Sequence, residues 1–326
     1  MVNPVVKNYV DQVTKKWHIG GTLVLENHGL LEGMAPIRQY KWTAEEAAVA
    51  DTDGVANNLA MGAAANTVSA GFGAIPCARN VTMVPSASMG TTKKVKVTGL
   101  DIAGNVIEEE LTFNNSSAVV GNKAFASVIS VLLPIQEHTP AKQTEYITFD
   151  AEASGTSDCT LKVEDTVITG AGAITLTLAA TAAAHDTVTK VAQAFADLIN
   201  ADETLSAKYV ASIEAGKLTI TALEFAANDT ALAFTFSAGT SGITASAGTQ
   251  NGTAGVAVDN VDIGFGDKLG LPLKLAGVHH IGTYLNGSAE NTAPTFATSA
   301  TALESNTVDL NSSLDGTSVE TLFIQR

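Results

Sequence analysis

The sequence predicts a mainly β protein, in which an antiparallel β-sandwich or barrel-like domain is split by an inserted α+β domain. From residue 79 onward, short strand-like segments alternate with turn residues. The segments before residue 150 lie too close together in sequence for helical crossovers, which favours antiparallel pairing. Stretches rich in Gly, Ser and Thr border the block at 151–255 on both sides, which is typical of an insertion.

Residues 1–79 predict a short helix followed by an extended arm. Asn3 can cap the helix and Pro4 suits its first turn. One narrow apolar face then repeats at helical spacing, formed by Val6, Val10, Val13 and Trp17. The stretch from 21 to 79 lacks a regular pattern, and long irregular stretches are uncommon inside compact domains. We therefore expect an arm that becomes ordered on a partner and buries this face there.

Residues 80–150 together with 256–326 are predicted to form the split β-domain. The segment "KKVKVTGLDIAGNVIEEELTF" predicts its best-defined hairpin, because Val95 and Val97 alternate with lysines in the first strand. Apolar and acidic residues alternate in the second strand, and "AGN" supplies the turn between the two. Strand-like segments return after residue 256 and complete the same domain.

The block at 151–255 predicts the order ββαβββ in one unit. Two Thr-rich strands precede the segment "HDTVTKVAQAFADLINAD", and a hairpin and a last strand follow it. Asp186 or Thr187 can cap the helix. Its apolar face is formed by Val188, Val191, Ala192, Phe195, Leu198 and Ile199.

The run of Glu108, Glu109 and Glu110 is the first candidate for chemistry. Successive strand residues point to opposite faces, so the three carboxylates cannot converge on one small ion. Cross-strand pairs with the lysines on the other side of the turn explain the run as the solvated side of a hairpin. Glu109 shares the apolar parity of Ile107 and Leu111 and is unexplained by that pairing. We predict an inter-subunit salt bridge at Glu109.

Other candidates predict no catalytic, cofactor-binding or metal site. Neighbours in a strand diverge, so His279 and His280 are interpreted as core or interface residues. The segment "GFGDKLG", with Asp267 and Lys268, matches no phosphate-binding motif and is interpreted as a turn. Weak calcium binding at the loop "DNVDIGFGD" is the less favoured alternative.

Net charge, apolar segments and cysteine spacing limit the classes of partner and the cellular location that the sequence predicts. The formal net charge is −15, which disfavours nucleic acid and anionic membranes as partners. The N-terminus shows no secretion leader, and no apolar stretch reaches membrane-spanning length, which favours assembly in a cytoplasm. Cys77 and Cys159 have no metal-binding spacing and are interpreted as two thiols, with a disulfide as the open alternative.

The segment at 81–134 resembles a β-module of virion structural proteins of tailed bacteriophages. The resemblance covers a strand end, a Gly-Asn turn, a Glu- and Thr-rich strand and a "KAFASV" segment, at 95–101, 104–105, 108–112 and 123–128. The segment "IGFGDKLGLPLKL" is similar to one that follows such modules. The block at 151–255 resembles small domains of phage head, sheath and adhesin proteins.

The resemblance implies a non-enzymatic virion component, assembled in the host cytoplasm. The favoured role is a capsid decoration or cement protein that binds the major capsid protein and other copies of itself as a homotrimer, without a cofactor. In this hypothesis the N-terminal segment lies on the capsid and the insert projects outward. The alternatives are a tail, neck or fibre protein, or a carbohydrate-binding adhesin module. Trp17 and Trp42 lie outside the predicted β-region, which counts against sugar stacking.

Overall fold

The computed structural model describes residues 37–246 and 249–325 of the chain. Strand makes up 47% and helix 8% of the structure, so the predicted mainly β class is confirmed. The strand pairs within the described residues are all antiparallel, as the short connections predicted. The described helices are too short or too polar to cross a membrane.

The elements follow one another along the described residues in this order. The first strands are β1 (Ile37–Trp42), β2 (Asp51–Ala60), β3 (Asn66–Val68), β4 (Arg79–Pro85), β5 (Lys94–Leu100), β6 (Val106–Thr112), β7 (Val119–Phe125) and β8 (Ser127–Leu133). The next are β9 (Thr144–Ala151), β10 (Ser157–Glu164), β11 (Ile174–Ala180), β12 (Tyr209–Glu214), β13 (Lys217–Ala222), β14 (Ala233–Ser237), β15 (Thr244–Ala245) and β16 (Gln250–Asn251). The last are β17 (Asn260–Gly270), β18 (Val278–Leu285), β19 (Ser288–Ala289), β20 (Thr295–Ala297), β21 (Thr307–Asp309) and β22 (Val319–Gln325). The helices are α1 (Val188–Ala201) and α2 (Glu203–Ser206), with short 3-10 turns at Gly170–Gly172 and Leu303–Ser305.

The chain divides into two compact units. The first combines described residues up to Ile135 with those from Asn260 onward, and the second is Gln136–Asp259. This division differs from the predicted boundaries at 151 and 255. Strand β9, assigned to the split domain from sequence, pairs with β13, β15 and β16 inside the second unit. The short strands β15 and β16 occupy the Gly-, Ser- and Thr-rich stretch that was read as a flexible border.

The first unit contains three antiparallel sheets. Their strand orders are β20-β21-β17-β4-β7, with β2 also on β17, then β3-β8-β5-β6, and β1-β22-β18-β19. One sheet of the structure curls into a half-barrel. One apolar core of this unit contains Phe113 and Phe125, and a second contains Trp42 and Phe323. Alternation of apolar and polar residues along the strands places these side chains inside.

The part of the predicted arm that the structure describes belongs to these sheets. Strand β1 pairs with β22, β2 with β17 and β3 with β8, so an extended arm is wrong for these strands. Weakly patterned strands form here because distant partners supply their hydrogen bonds, which local sequence does not reveal. The buried Arg79 guanidinium also holds this region, since its Nη1 donates to the carbonyl oxygen of Ala48 at 2.7 Å. Trp42 lies in β1 and is buried.

The second unit packs helix α1 with two sheets. Their strand orders are β12-β13-β9-β15, with β16 also on β9, and β11-β10-β14. The Thr187 side chain caps α1 by accepting from the backbone N–H of Lys190. The core centres on the rings of Phe149, Phe195 and Phe236, whose centroids lie 5.5 to 6.0 Å apart. Along the chain, strands β10 and β11 precede helix α1, and strands β12 to β14 follow it.

The chain enters and leaves the second unit at one clamp. The buried carboxylate of Asp259 accepts hydrogen bonds from the backbone N–H groups of Glu137 (2.7 Å) and His138 (2.8 Å). Nδ1 of His138 also lies 2.8 Å from Asp259 Oδ1. Burial alone would raise the pKa of Asp259, but these hydrogen bonds outweigh it and lower the pKa. The last residue of the unit therefore holds its first residues.

Candidate functional site

The acidic hairpin forms a ladder of exposed ion pairs. Strands β5 and β6 pair over their full length. Lys94 Nζ lies 2.7 Å from Glu110 Oε2, and Lys96 Nζ lies 3.0 Å from Glu108 Oε1. The hydrogen bond from Lys94 lowers the pKa of the Glu110 carboxyl. These carboxylates face lysines on the solvent side of the sheet, as the interpretation of the acid run predicted.

Asp101 organises the turn of this hairpin. One of its buried carboxylate oxygens accepts from the backbone N–H groups of Ala103 and Asn105, both at 2.8 Å, and the other accepts from the Asn105 side chain at 3.0 Å. Burial raises the pKa of Asp101, and the hydrogen bonds from Asn105, Ala103 and Gly104 more than reverse that effect. Gly104 has φ +82°, a conformation that glycine adopts without strain. The hydrogen bonds of Asp101 and the positive φ of Gly104 therefore explain the tight turn.

Glu109 points to the other side of β6 and bridges to another sheet. Its carboxylate accepts from the backbone N–H of Asn122 at 2.6 Å and of Lys123 at 3.3 Å, both in β7. Gly121 makes room for it, since a Cβ there would lie 2.6 Å from Glu109 Oε2. Burial raises the pKa of Glu109 despite these hydrogen bonds. Its carboxylate thus has partners within the chain, and the inter-subunit salt bridge stays a prediction.

The sheet that contains the hairpin exposes apolar side chains beside its charges. In β8, Ile129 and Leu132 are 43% and 38% exposed, and Val106 at the start of β6 is 66% exposed. Leu132 stands opposite Lys96 in the register of β5 and β8. Apolar and charged side chains thus share the solvent side of this sheet. We name Val106, Ile129 and Leu132, with the two Lys–Glu pairs, the hairpin face.

The structure does not bring the other residues singled out from sequence together in one site. His279 is exposed in β18, whereas Nε2 of the partly buried His280 lies 2.9 Å from Thr283 Oγ1. Cys77 and Cys159 are both free, and burial raises the pKa of each thiol to about 11. Within residues 37–246 and 249–325, no group of three or more His, Cys, Asp and Glu side chains is placed to hold a metal ion.

The Gly-rich segment "GFGDKLG" is part of strand β17, so its interpretation as a turn is wrong. The strand continues through it with a register shift between Phe265 and Leu269. Asp267 lies 3.6 Å from the Arg79 guanidinium, and Lys268 Nζ donates to Asn122 Oδ1 at 2.7 Å. Charged residues occur within this strand because the bulge turns them toward partners in neighbouring strands.

The calcium alternative at "DNVDIGFGD" gains no support from the geometry. Asp259 holds the backbone of Glu137 and His138, whereas Asp262 accepts from the backbone N–H of Asn58 at 2.7 Å. The carboxylates of this segment therefore bind separate protein groups rather than one loop.

Sequence reasoning missed a buried polar group in the second unit. Asp165 Oδ2 accepts from Tyr209 Oη at 2.8 Å and from Lys208 Nζ at 3.0 Å. Burial and the hydrogen bond to Asp165 raise the pKa of Tyr209. Burial raises the pKa of Asp165, but hydrogen bonds from Ile168, Tyr209 and other donors reverse the effect and lower it. One available signal of buried polar groups in this unit was Glu145, which shares the inward-facing side of β9 with Ile147 and Phe149.

The predicted partner face gains no structural test. Its residues Val6, Val10, Val13 and Trp17 lie outside the described residues. Comparison of the chain with protein-family models, with curated proteins and with solved structures finds no match.

Proposed function

We propose that this chain is a non-enzymatic structural protein of a bacteriophage particle. The supporting observation from sequence is the resemblance of the segment at 81–134 to a virion β-module. In the structure this segment supplies the strands β4 to β8, in which β5 pairs with β6 and β8, and β4 pairs with β7. Strands β4 and β8 also pair with β17 and β3, respectively, so the segment supplies the hairpin of β5 and β6 and neighbouring strands of two sheets.

Within that class we propose a capsid decoration or cement protein. It binds the outer surface of the shell, contacts the major capsid protein and other copies of itself as a homotrimer, and stabilises the particle. In this proposal the protein has a sandwich or barrel-like host domain, an inserted α+β domain, and an N-terminal segment that contacts the shell. The acidic balance of −15 suits a protein that must avoid packaged DNA.

The hairpin face is the structural observation that supports this proposal. Exposed Leu132 and Ile129 offer apolar area, and the ion pairs of Lys94 and Lys96 beside them supply orientation. Interfaces combine an apolar centre with a polar rim in this manner. A surface of this kind fits a protein partner better than a sugar, which would be recognised by exposed Trp or Tyr rings.

Binding to particles tests the function directly. The full-length chain and a variant lacking residues 1–20 would be mixed with phage heads that lack the protein, and bound protein measured after sedimentation. We expect the full-length chain to bind and the truncated chain to lose binding while it keeps its circular dichroism spectrum and unfolding transition. Normal binding by the truncated chain would contradict the assignment of the N-terminal face to the shell.

A substitution in the hairpin face tests whether this surface contacts the particle. Leu132→Glu should weaken particle binding, because a carboxylate in the centre of an interface must lose its hydration. Val167→Glu is the matched control, since Val167 is 78% exposed and belongs to the second unit, not to the hairpin face. Averaged images of intact particles locate the chain: icosahedral positions on the head support a decoration protein, whereas density along the tail axis supports a tail or neck protein.

A further inference from the structure

A buried carboxylate oxygen without a hydrogen-bond donor lies in the second unit. Glu145 occupies β9 on the same side as Ile147 and Phe149, and only 6% of its surface is exposed. Its Oε1 accepts from Gln143 Nε2 at 3.3 Å, and its Oε2 has no hydrogen-bond partner among the described residues. A buried, unpaired carboxylate is costly unless a ligand or a proton compensates its charge.

Glu145 lines a cavity of about 200 Å³, which we name the acidic cavity. Its wall also contains Asn228, Asp229, Thr230 and Leu232. The Asp229 carboxylate is already occupied, because Oδ1 accepts from the Thr166 hydroxyl at 2.6 Å and Oδ2 accepts from the Thr166 backbone N–H at 2.9 Å. Burial raises the pKa of Asp229, and these hydrogen bonds reverse the effect and lower it. Asp229 therefore adds negative charge to the cavity without offering a free ligand atom.

The surroundings do not neutralise this charge. An adjoining cavity of about 220 Å³ shares Asp229 and adds the carboxylates of Asp165 and Glu224. The one cationic side chain among the described residues that line either cavity is Lys208. Its Nζ is bound to Asp165 Oδ2 at 3.0 Å. No Lys or Arg of the described chain lines the acidic cavity itself, and the one ammonium of the adjoining cavity is bound to Asp165, so the lining supplies Glu145 with no counter-charge.

We propose that the acidic cavity binds one organic nitrogen cation, an alkylammonium or guanidinium group, with Glu145 as its ion-pair partner. Such a group brings N–H donors to the free Oε2 and one positive charge to the cavity. Leu232 supplies an apolar wall for the methylene stem of the cation. The cavity is smaller than the roughly 300–1,000 Å³ of drug-sized sites, which suits a small amine or the end of one side chain.

A divalent metal fits the cavity less well. Calcium takes six to eight oxygen ligands, whereas this cavity offers one uncommitted carboxylate oxygen. In the described part of the chain, no three acidic, His or Cys side chains are grouped for a metal. This inference is independent of the proposed particle function, because it concerns a cavity inside one unit rather than the hairpin face.

The cation has two possible sources, a free amine or a Lys or Arg side chain of another protein. Isothermal titration of the full-length chain with putrescine and agmatine tests the first source. N-acetyl-lysine amide and N-acetyl-arginine amide test the second, because their backbone must remain at the mouth of the cavity. Binding of either kind supports the proposal, and the pattern of the two identifies the source. We expect dissociation constants in roughly the millimolar range, since ligands this small make few contacts.

Glu145→Gln keeps the shape of the side chain and removes its charge. We expect this variant to fold and to weaken putrescine or agmatine binding by roughly tenfold or more, because a buried ion pair is lost. Glu110→Gln, at an exposed ion pair, is the matched control and should leave binding unchanged. Equal binding by wild type and Glu145→Gln would overturn the proposal.

A comparison on the wild-type chain keeps the test valid if Glu145→Gln fails to fold. Putrescine should bind and 1,4-butanediol, its neutral analogue, should not. Saturable binding of both, or of neither, counts against a cation site. Calcium that binds in place of putrescine and is lost in Glu145→Gln would identify a metal site and would equally overturn the proposal.

Discussion

Among single residues, Glu109 links two sheets, because its side chain in β6 accepts hydrogen bonds from the backbone of β7. Strands β6 and β7 belong to different sheets, and the carboxylate accepts from two backbone N–H groups of β7 that would otherwise lack this partner. The residue is central to a run of three glutamates, yet only its neighbours Glu108 and Glu110 face lysines. Position within the pleat, rather than composition, decides its role.

Replacing Glu109 should therefore destabilise the first unit. Glu109→Ala removes the charged acceptor of the Asn122 and Lys123 backbone N–H groups, and we expect a loss of about 1–3 kcal/mol in the free energy of unfolding. Glu109→Gln should lose less, because its amide oxygen can still accept one hydrogen bond. Urea unfolding followed by circular dichroism measures both. Glu110→Gln serves as the control and should be neutral, so an equal effect of Glu109→Ala and Glu110→Gln would contradict this role.

The sequence predicted the lysine partners of Glu108 and Glu110 but not the partners of Glu109. Alternation separated Glu109 from Glu108 and Glu110, and the opposing lysines were visible across the turn. The partner of Glu109 was not predictable, because Asn122 and Lys123 lie in another sheet that only the tertiary fold brings close. The unpaired Oε2 of Glu145 was hidden for the same reason, although its inward parity in β9 was readable.

For whole strands and helices, predictions succeeded where one local period dominates. Helix α1 and the hairpin of β5 and β6 were found because their apolar residues recur at regular spacing. Strands β1 to β3 were missed because their hydrogen-bond partners are distant in sequence. Strand β17 was read as a turn at its glycines. Gly264 is needed there for the close approach of β2, since a Cβ would lie 1.9 Å from the Asp51 carbonyl oxygen.

The clamp at the ends of the second unit should depend on pH. The folded pKa of Asp259 is lowered, so its hydrogen bonds stabilise the folded state fully above the ordinary carboxyl pKa of about 4. That contribution disappears as the pH falls through the lowered value, where the folded state also binds the proton. Asp259→Asn should lose about 1–3 kcal/mol of unfolding free energy at pH 7, and the difference from wild type should shrink below about pH 4.

Urea unfolding at a series of pH values measures this difference. Asp150→Asn, at an exposed position of the same unit, is the matched control and should follow the wild type at every pH. A constant gap between Asp259→Asn and wild type from pH 7 to pH 3 would exclude the clamp as the cause.

For the whole molecule, the second unit should fold on its own. Residues 136–259 contain a continuous apolar core with Phe149, Phe195 and Leu218 fully or nearly fully buried. Sheets, helix and clamp all lie within this fragment, so its hydrogen bonds do not require the flanking chain. The isolated fragment should show a single cooperative unfolding transition and dispersed amide signals in its NMR spectrum. A fragment that unfolds gradually without a transition would contradict this expectation.

The clamp at Asp259 has a consequence for how such a chain can change. Because hydrogen bonds hold the first residues of the second unit to its last residue, the two ends of the unit lie side by side. Recombination or protein engineering can then exchange residues 136–259 for any domain whose two ends are adjacent, without changing the strands on either side. Residues 136–259 are then an exchangeable segment of a chain whose other strands keep their own pairing partners.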